Sequence, residues 1–350
     1  MEAMKAAVLY GRDDLRIKNM PVPELLDHEI LVKVMATGIC GSDLPRVLGD
    51  EAHYYPIVLG HEFSGVVEKV GGGVTKVKAG DRIAGAPLVP CHECRDCQRG
   101  NYAQCKNYTF IGSRVYGSWA EYVKMPEINA VKVADNVSFE EAALFEPSAV
   151  ALHALHHIGY QGGEDVAVLG GGNIGMLTLQ WAKVLGAKTV TVFDIDDDRL
   201  ETAKKLGADY VMNTLHPDFK EEYALITNGR GFGVVMETAG SMITMNLSFE
   251  LAANKAKVCF VGTPTKDITF PFKRFEQMNR KEFTLTGSWM SYSAPFPGKE
   301  WELTAHFLAK QKLNFKDVVF GKFPLDEINK AFDLYKTPGT VKGKILLLNE

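Results

Sequence analysis

The chain has 350 residues, 46% of them hydrophobic, with 39 Lys+Arg against 43 Asp+Glu and a formal net charge of −4. That length supplies material for buried cores and predicts about two domains. The near-balanced charge contains no block of like charges, so nucleic acid and anionic membrane are not expected partners.

The opening segment MEAMKAAVLYGRDDLRIK has neither an uninterrupted apolar core nor a small-residue cleavage site. No later run approaches the roughly 18 apolar residues of a membrane span, which predicts a cytoplasmic protein whose cysteines stay reduced and available as ligands. Through residue 150 the chain reads as short β-type runs punctuated by Gly and Pro: KAAVLYG, EILVKVMATG, FSGVVEKVG, DRIAGA and WAEYVKM. Cys40, in GICGSDLPR, and His61 with Glu62, in LGHEFSG, sit at the ends of such runs, where side chains from separate loops can converge. A thiolate, an imidazole and a carboxylate with one open position suit a Lewis-acid zinc. Each residue taken alone also fits a blander role: a small buried apolar residue, a satisfied core histidine, a surface charge.

Cys91, Cys94, Cys97 and Cys105 follow with the spacing C-x2-C-x2-C-x7-C. Four thiolates around one ion leave no position for substrate, so this site is expected to be structural. An iron–sulfur cluster fits less well, because the last spacing is not three residues and no proline follows Cys105. Redox C-x-x-C chemistry is a further alternative, but cysteines this dense suit a metal better. A nucleic-acid-binding zinc finger lacks its histidines and basic helix.

From about Gln161 the pattern changes to compact β-branched strands alternating with helical stretches, the signature of a parallel sheet built from βαβ units. Six strands are expected: Val166–Leu169, Thr189–Phe193, Tyr210–Met212, Val234–Met236, Lys257–Val261 and Phe283–Thr286. Between the first strand and its helix lies G-x-G-x-x-G as Gly170, Gly172 and Gly175. Gly170 permits the tight turn, Gly172 lets the backbone approach a pyrophosphate, and Gly175 lets helix and sheet pack closely. Ile174, Leu177, Trp181 and Leu185 mark the helix's buried face. Asp194 ends the next strand, where a carboxylate accepts both ribose hydroxyls and favours NAD over NADP, while Arg199 leaves some tolerance for a 2′-phosphate. A loop, SWMSYSAPFPG, then leads to helices near Trp301–Ala309 and Asp326–Tyr335 and a last strand, Lys344–Leu348.

Together these residues resemble the zinc-containing medium-chain alcohol and polyol dehydrogenases, whose zinc signature Gly60-His61-Glu62, Gly65, Gly71 and Val74 match at every fixed position, followed by Gly80-Asp81-Arg82. The resemblance implies an α/β fold: a GroES-like β-rich catalytic domain from residues 1–150 and 292–350, with a Rossmann doubly wound parallel six-stranded sheet at 151–291 between them. It implies two zinc ions per chain and NAD. By the resemblance Cys40, His61 and Glu146 are direct catalytic-zinc ligands, and Glu62 is a ligand that exchanges with water or holds it. Ser42 becomes the hydroxyl that takes the alcohol proton. Relatives pass that proton on through a histidine two residues after the aspartate, where this chain has Pro45, so a water chain is the expected exit.

The cofactor site extends by resemblance to Asn173, Ile174, Thr238, Gly262, Thr263, Ser288 and Trp289. The segments CGSDLPR, AHYYPIVLGHEFSG, FIGSR, FEP and GSWMSYSAPFPGKEWE resemble members acting on a polyol phosphate and imply oxidation of galactitol 1-phosphate to tagatose 6-phosphate. An unphosphorylated polyol, a diol or L-threonine is the alternative within the family, and a non-catalytic NAD-binding protein the alternative outside it. A phosphate ester needs cationic donors, for which Arg46 and Arg114 are placed by motif, with His53, Tyr54 and Tyr55 assisting; solvated or internally paired arginines are the other reading. Trp289 and Met290 replace the Phe-Arg-Tyr of sorbitol-type relatives and argue against plain sorbitol. A homodimer or homotetramer is implied, with the strand near Phe283 and the SWMSY loop as interface candidates.

Overall fold

The computed structural model describes residues 3–349; residues 1, 2 and 350, at the ends of the expected first domain, lie outside them. The chain divides into two compact units, one formed by Met1–Ala149, Tyr292–Gln311 and Val319–Glu350, the other by Val150–Ser291 and Lys312–Val318.

The first unit is built around the strand Glu29–Ile39, whose residues are almost all buried. It pairs antiparallel with Glu62–Val70, with Tyr122–Pro126 and with the last strand, Lys344–Leu348. A strand with sheet neighbours on both sides and its side chains in apolar cores has to be apolar nearly throughout, and ILVKVMATGI is. Each fully buried Val or Leu contributes roughly 1.5–3 kcal/mol. Register does the rest: Gly38 lies opposite Glu62 and Ile39 opposite Ile345, so the residue after this strand, Cys40, emerges beside Glu62 and the head of the last strand. A separate three-stranded sheet carries Ala3–Leu9 between Leu15–Pro21 and Ile57–Val58.

The second unit holds the parallel six-stranded sheet, with strands Asp165–Leu169, Thr189–Asp194, Tyr210–Asn213, Phe232–Glu237, Ala252–Phe260 and Thr284–Gly287. Counted in chain order their spatial order is 3-2-1-4-5-6, the doubly wound dinucleotide-binding arrangement. Val166, Ala167, Val168 and Leu169 are all fully buried, which explains why the first strand reads as a continuous apolar run. The helix Asn173–Val184 buries Leu177 and Trp181 as its apolar spacing requires. Among the described residues no helix is long and apolar enough to cross a membrane.

Candidate active site

Cys40, His61 and Glu62 come together in the first unit, with one ligand atom from each lying within 4.8 Å of the others. His61 follows Gly60, whose φ of +93° makes the turn; a Cβ there would also strike the Trp119 ring, so the position requires glycine. The His61 ring packs edge-on against Phe110, with centroids 5.6 Å apart. Glu146 lies in the first turn of the helix Phe145–His157, is 9% exposed, and adds its charge to this cluster from outside the tight set.

Two residues that local motifs did not single out complete the cluster. Asp43 is fully buried; its carboxylate accepts from Cys40 N at 3.0 Å and stands 3.5 Å from His61 Nδ1. Lys344, heading the last strand, donates to both carboxylate oxygens of Glu62, at 2.5 and 2.7 Å. The only local signal for Lys344 is a cation at the head of the apolar run KILLL.

The electrostatics indicate what this cluster is built to hold. Burial and the negative charge of Glu62 push the Cys40 thiol up to about 12. Burial likewise pushes Glu146 up to about 7 and raises Asp43, the latter opposed by His61 and Arg46. Burial disfavours the charge on Lys344, but Glu62 and Cys40 outweigh it and raise the group. Four acidic groups thus crowd one buried region, and a divalent cation would relieve the repulsion and draw the thiolate out. The donor set of thiolate, imidazole and carboxylate fits zinc.

Ser42 is exposed two residues beyond Cys40. Arg46 Nη1 donates to Ser42 O at 2.6 Å and to Ser42 Oγ at 3.1 Å, and lies 3.5 Å from Asp43 Oδ1. Arg114 stacks over the Tyr108 ring at 4.6 Å and donates to its hydroxyl. His53 is lowered by partial burial and then by the positive charges of Arg114 and Arg46, so the three groups share one electrostatic neighbourhood. Tyr54 is exposed beside them in sequence.

The four clustered cysteines also meet. Cys91 Sγ lies 4.0 Å from Cys97 Sγ and 3.5 Å from Cys105 Sγ, and all four thiols are free of disulfides. Thiolates at about 2.3 Å from a tetrahedral zinc sit about 3.8 Å apart, so these separations fit the ion. The backbone N–H of Cys97 brings Cys94 down to about 6 and those of Glu93 and Cys94 lower Cys91, whereas burial pushes Cys97 up to about 12 and raises Cys105.

In the second unit Gly170 takes φ +102°, and a Cβ on Gly175 would collide with the Gly170 carbonyl. Gly172 caps the helix that starts at Asn173, with open space where a side chain would be. Asp194 accepts from Gly171 N through Oδ2, and from Ile195 N and Asp196 N through Oδ1, with Arg199 Nη1 3.9 Å away. Thr238 Oγ1 donates to Leu169 O and Gly170 O, fastening the next strand to the glycine turn. Ile174 is half-buried beside Asn173, whose buried Oδ1 finds no partner among the described residues. Gly262, Thr263, Ser288 and Trp289 line one cavity of about 390 Å³.

Residues 26–135 match the family described as alcohol dehydrogenase GroES-like domain, and residues 173–309 the family described as zinc-binding dehydrogenase. The chain is 37% identical over 347 residues to galactitol 1-phosphate 5-dehydrogenase of Escherichia coli (strain K12), covering 99% of this chain and all of the relative. It is 34% identical to sorbitol dehydrogenase of Bacillus subtilis (strain 168), over 94% of this chain and 93% of the relative. A crystal structure of galactitol-1-phosphate dehydrogenase from Escherichia coli superposes with a TM-score of 0.95 at 37% identity, covering 99% of this chain and 100% of that one.

Proposed function

The chain belongs to the zinc-dependent medium-chain alcohol and polyol dehydrogenases, and from that membership we propose that it oxidises a secondary hydroxyl of galactitol 1-phosphate to the ketone of tagatose 6-phosphate, with NAD as acceptor. The observation that carries the phosphorylated substrate is the shared neighbourhood of Arg46, His53 and Arg114, together with identity to a polyol-phosphate enzyme along the whole chain. A phosphate dianion loses too much hydration in a site of neutral groups alone, and a guanidinium supplies charged donors in its place.

We assign zinc and substrate to the first unit and the dinucleotide to the second. Cys40, His61 and Glu146 would hold the catalytic zinc, with Glu62 beside them on Lys344, and Cys91, Cys94, Cys97 and Cys105 would hold the structural one. When bound, the catalytic ion supplies a Lewis acid that lowers the pKa of the alcohol. Asp43 steadies the His61 ring, and Ser42 accepts the hydroxyl proton and passes its own outward. The glycine turn and helix N-terminus receive the pyrophosphate and Asp194 the ribose; Gly262, Thr263, Ser288 and Trp289 shape the remaining cofactor cavity. The edge strand Thr284–Gly287, with Leu285 exposed, is the surface through which we expect a homodimer or homotetramer to form.

Initial rates of NAD reduction with galactitol 1-phosphate beside galactitol, sorbitol, butanediol and L-threonine test the substrate. A large kcat/KM preference for the phosphate ester supports the proposal. A preference for a neutral polyol would favour the second reading, to which the identity with sorbitol dehydrogenase points.

A further inference from the structure

We propose that Arg46 is a positioning residue whose inner guanidinium edge holds the Ser42 hydroxyl in register for proton transfer. The inference rests on the reading of Ser42 as the proton acceptor.

Ser42 and Arg46 are four residues apart on the short helical stretch that runs from Gly41–Asp43 into Leu44–Val47. Side chains on such a turn lean toward its N-terminus, which lays Arg46 back over Ser42. Pro45 sits in the first turn, where its missing N–H costs nothing, and offers no group that could exchange a proton. Arg46 Nη1 contacts two oxygens of the same residue, Ser42 O at 2.6 Å and Oγ at 3.1 Å. Two acceptors sharing one nitrogen fix the serine side chain against its own backbone. The guanidinium is held in turn, 19% exposed and 3.5 Å from the buried carboxylate of Asp43.

The chemistry follows from what each group can do. A guanidinium only donates, so Ser42 Oγ must accept from it. One lone pair of the hydroxyl is thereby taken, leaving one lone pair to receive a proton and one hydrogen to give. As the alcohol proton arrives on Oγ, the original serine proton leaves to a solvent water, and the hydroxyl ends neutral and unchanged. The fixed positive charge 3.1 Å away disfavours a second proton on that oxygen, so receipt of the alcohol proton and release of the serine proton are coupled.

A double-mutant cycle on the best alcohol substrate, whichever that is, tests the proposal, with zinc content and circular dichroism checked for every variant. Arg46→Ala is expected to lower kcat about tenfold or more in the parent, within the range of positioned acid–base groups, but less than about twofold in a Ser42→Ala background. Arg46→Lys keeps a charged donor and recovers part of the loss. Equal effects of Arg46→Ala in both backgrounds would overturn the proposal, as would a rise in KM confined to phosphate esters with kcat intact. If Ser42→Ala alone leaves turnover unchanged, the serine reading fails first and takes this one with it.

Discussion

Lys344 Nζ lies 2.5 Å from Glu62 Oε2 and 2.7 Å from Oε1, in side chains that are 2% and 1% exposed, and donates a third bond to Ile39 O at 3.1 Å. All three ammonium protons are therefore satisfied. The bond joins two strands that flank Glu29–Ile39 on opposite sides, so it laces the sheet together beneath Cys40 and His61. It also fixes the carboxylate whose role at the metal is least determined by its residue type. Glu62 is thereby paired with a cation, while its negative charge still bears on the Cys40 thiol.

Removing the cation alone strands a buried charge. Lys344→Met should cost about 3–5 kcal/mol of stability in urea unfolding of the zinc-loaded protein. Adding Glu62→Gln should restore more than half of that loss, because the stranded charge goes with it. A single-variant loss below about 1 kcal/mol would mean that water or metal reaches Glu62 and that the lysine is not its essential partner.

The cysteine lobe is braced against the segment that follows the second unit's sheet. Phe296 stacks on Tyr292 at 5.6 Å and meets Tyr102 and His92 edge-on at 5.3 and 5.5 Å, and Tyr292 accepts a bond from Leu88 N. Cys94→Ser should lower bound zinc from two to one per chain, read by elemental analysis, since a hydroxyl is a poor substitute for a thiolate. Amide hydrogen exchange should quicken through residues 292–301 as well as in the lobe, and remain unchanged in the strand Asp165–Leu169. Retention of both ions would exclude the four-cysteine site.

What local sequence could reveal follows from how far each feature reaches along the chain. The cysteine lobe and the glycine turn are confined to short stretches with fixed spacing, and both are legible. The six parallel strands are legible because buried strands are continuous apolar runs, yet Ala252–Phe260 begins earlier than its Lys257–Val261 core suggests, since Asn254 and Lys255 are exposed. Leu15–Pro21 escapes because its core-facing residues, Leu15, Ile17 and Met20, break the two-residue alternation of a strand. Asp43 and Lys344 escape for a different reason. Lys344 meets Glu62 across 282 positions, and no local pattern encodes a partner brought in by sheet register. Arg46 shows the limit most directly: its motif marks it as a cation near the site, whereas its contact with Ser42 depends on which way the turn directs it.

Asp194 offers a test of cofactor choice. Three backbone amides hold its carboxylate, and Arg199 stands 3.9 Å from it. Asp194→Ala should raise the ratio of kcat/KM for NADP to that for NAD by about tenfold or more, because ~1.4 kcal/mol of removed repulsion is a factor of ten. Adding Arg199→Ala should reverse much of the gain by removing the cation that a 2′-phosphate would meet. An unchanged ratio in the single variant would place the ribose elsewhere.

Glu250 should govern part of the acid sensitivity of the second unit. Burial raises its carboxyl, but hydrogen bonds and charge from Lys220 and Arg274 outweigh that and leave it below its ordinary value of 4.5. A group depressed in the folded state binds protons more readily when unfolded, so its stabilising contribution is present above the unfolded value and disappears as pH falls through the folded one. Glu250→Gln should therefore be less stable than the parent at pH 7, with the gap closing steadily below pH 4.5. Urea unfolding of both proteins across that window reads the difference directly, and metal loss at low pH affects the two alike because no expected zinc ligand lies in this unit. A gap that stays constant with pH would show that Glu250 acts through packing around Tyr223, whose hydroxyl also reaches it, and not through its charge.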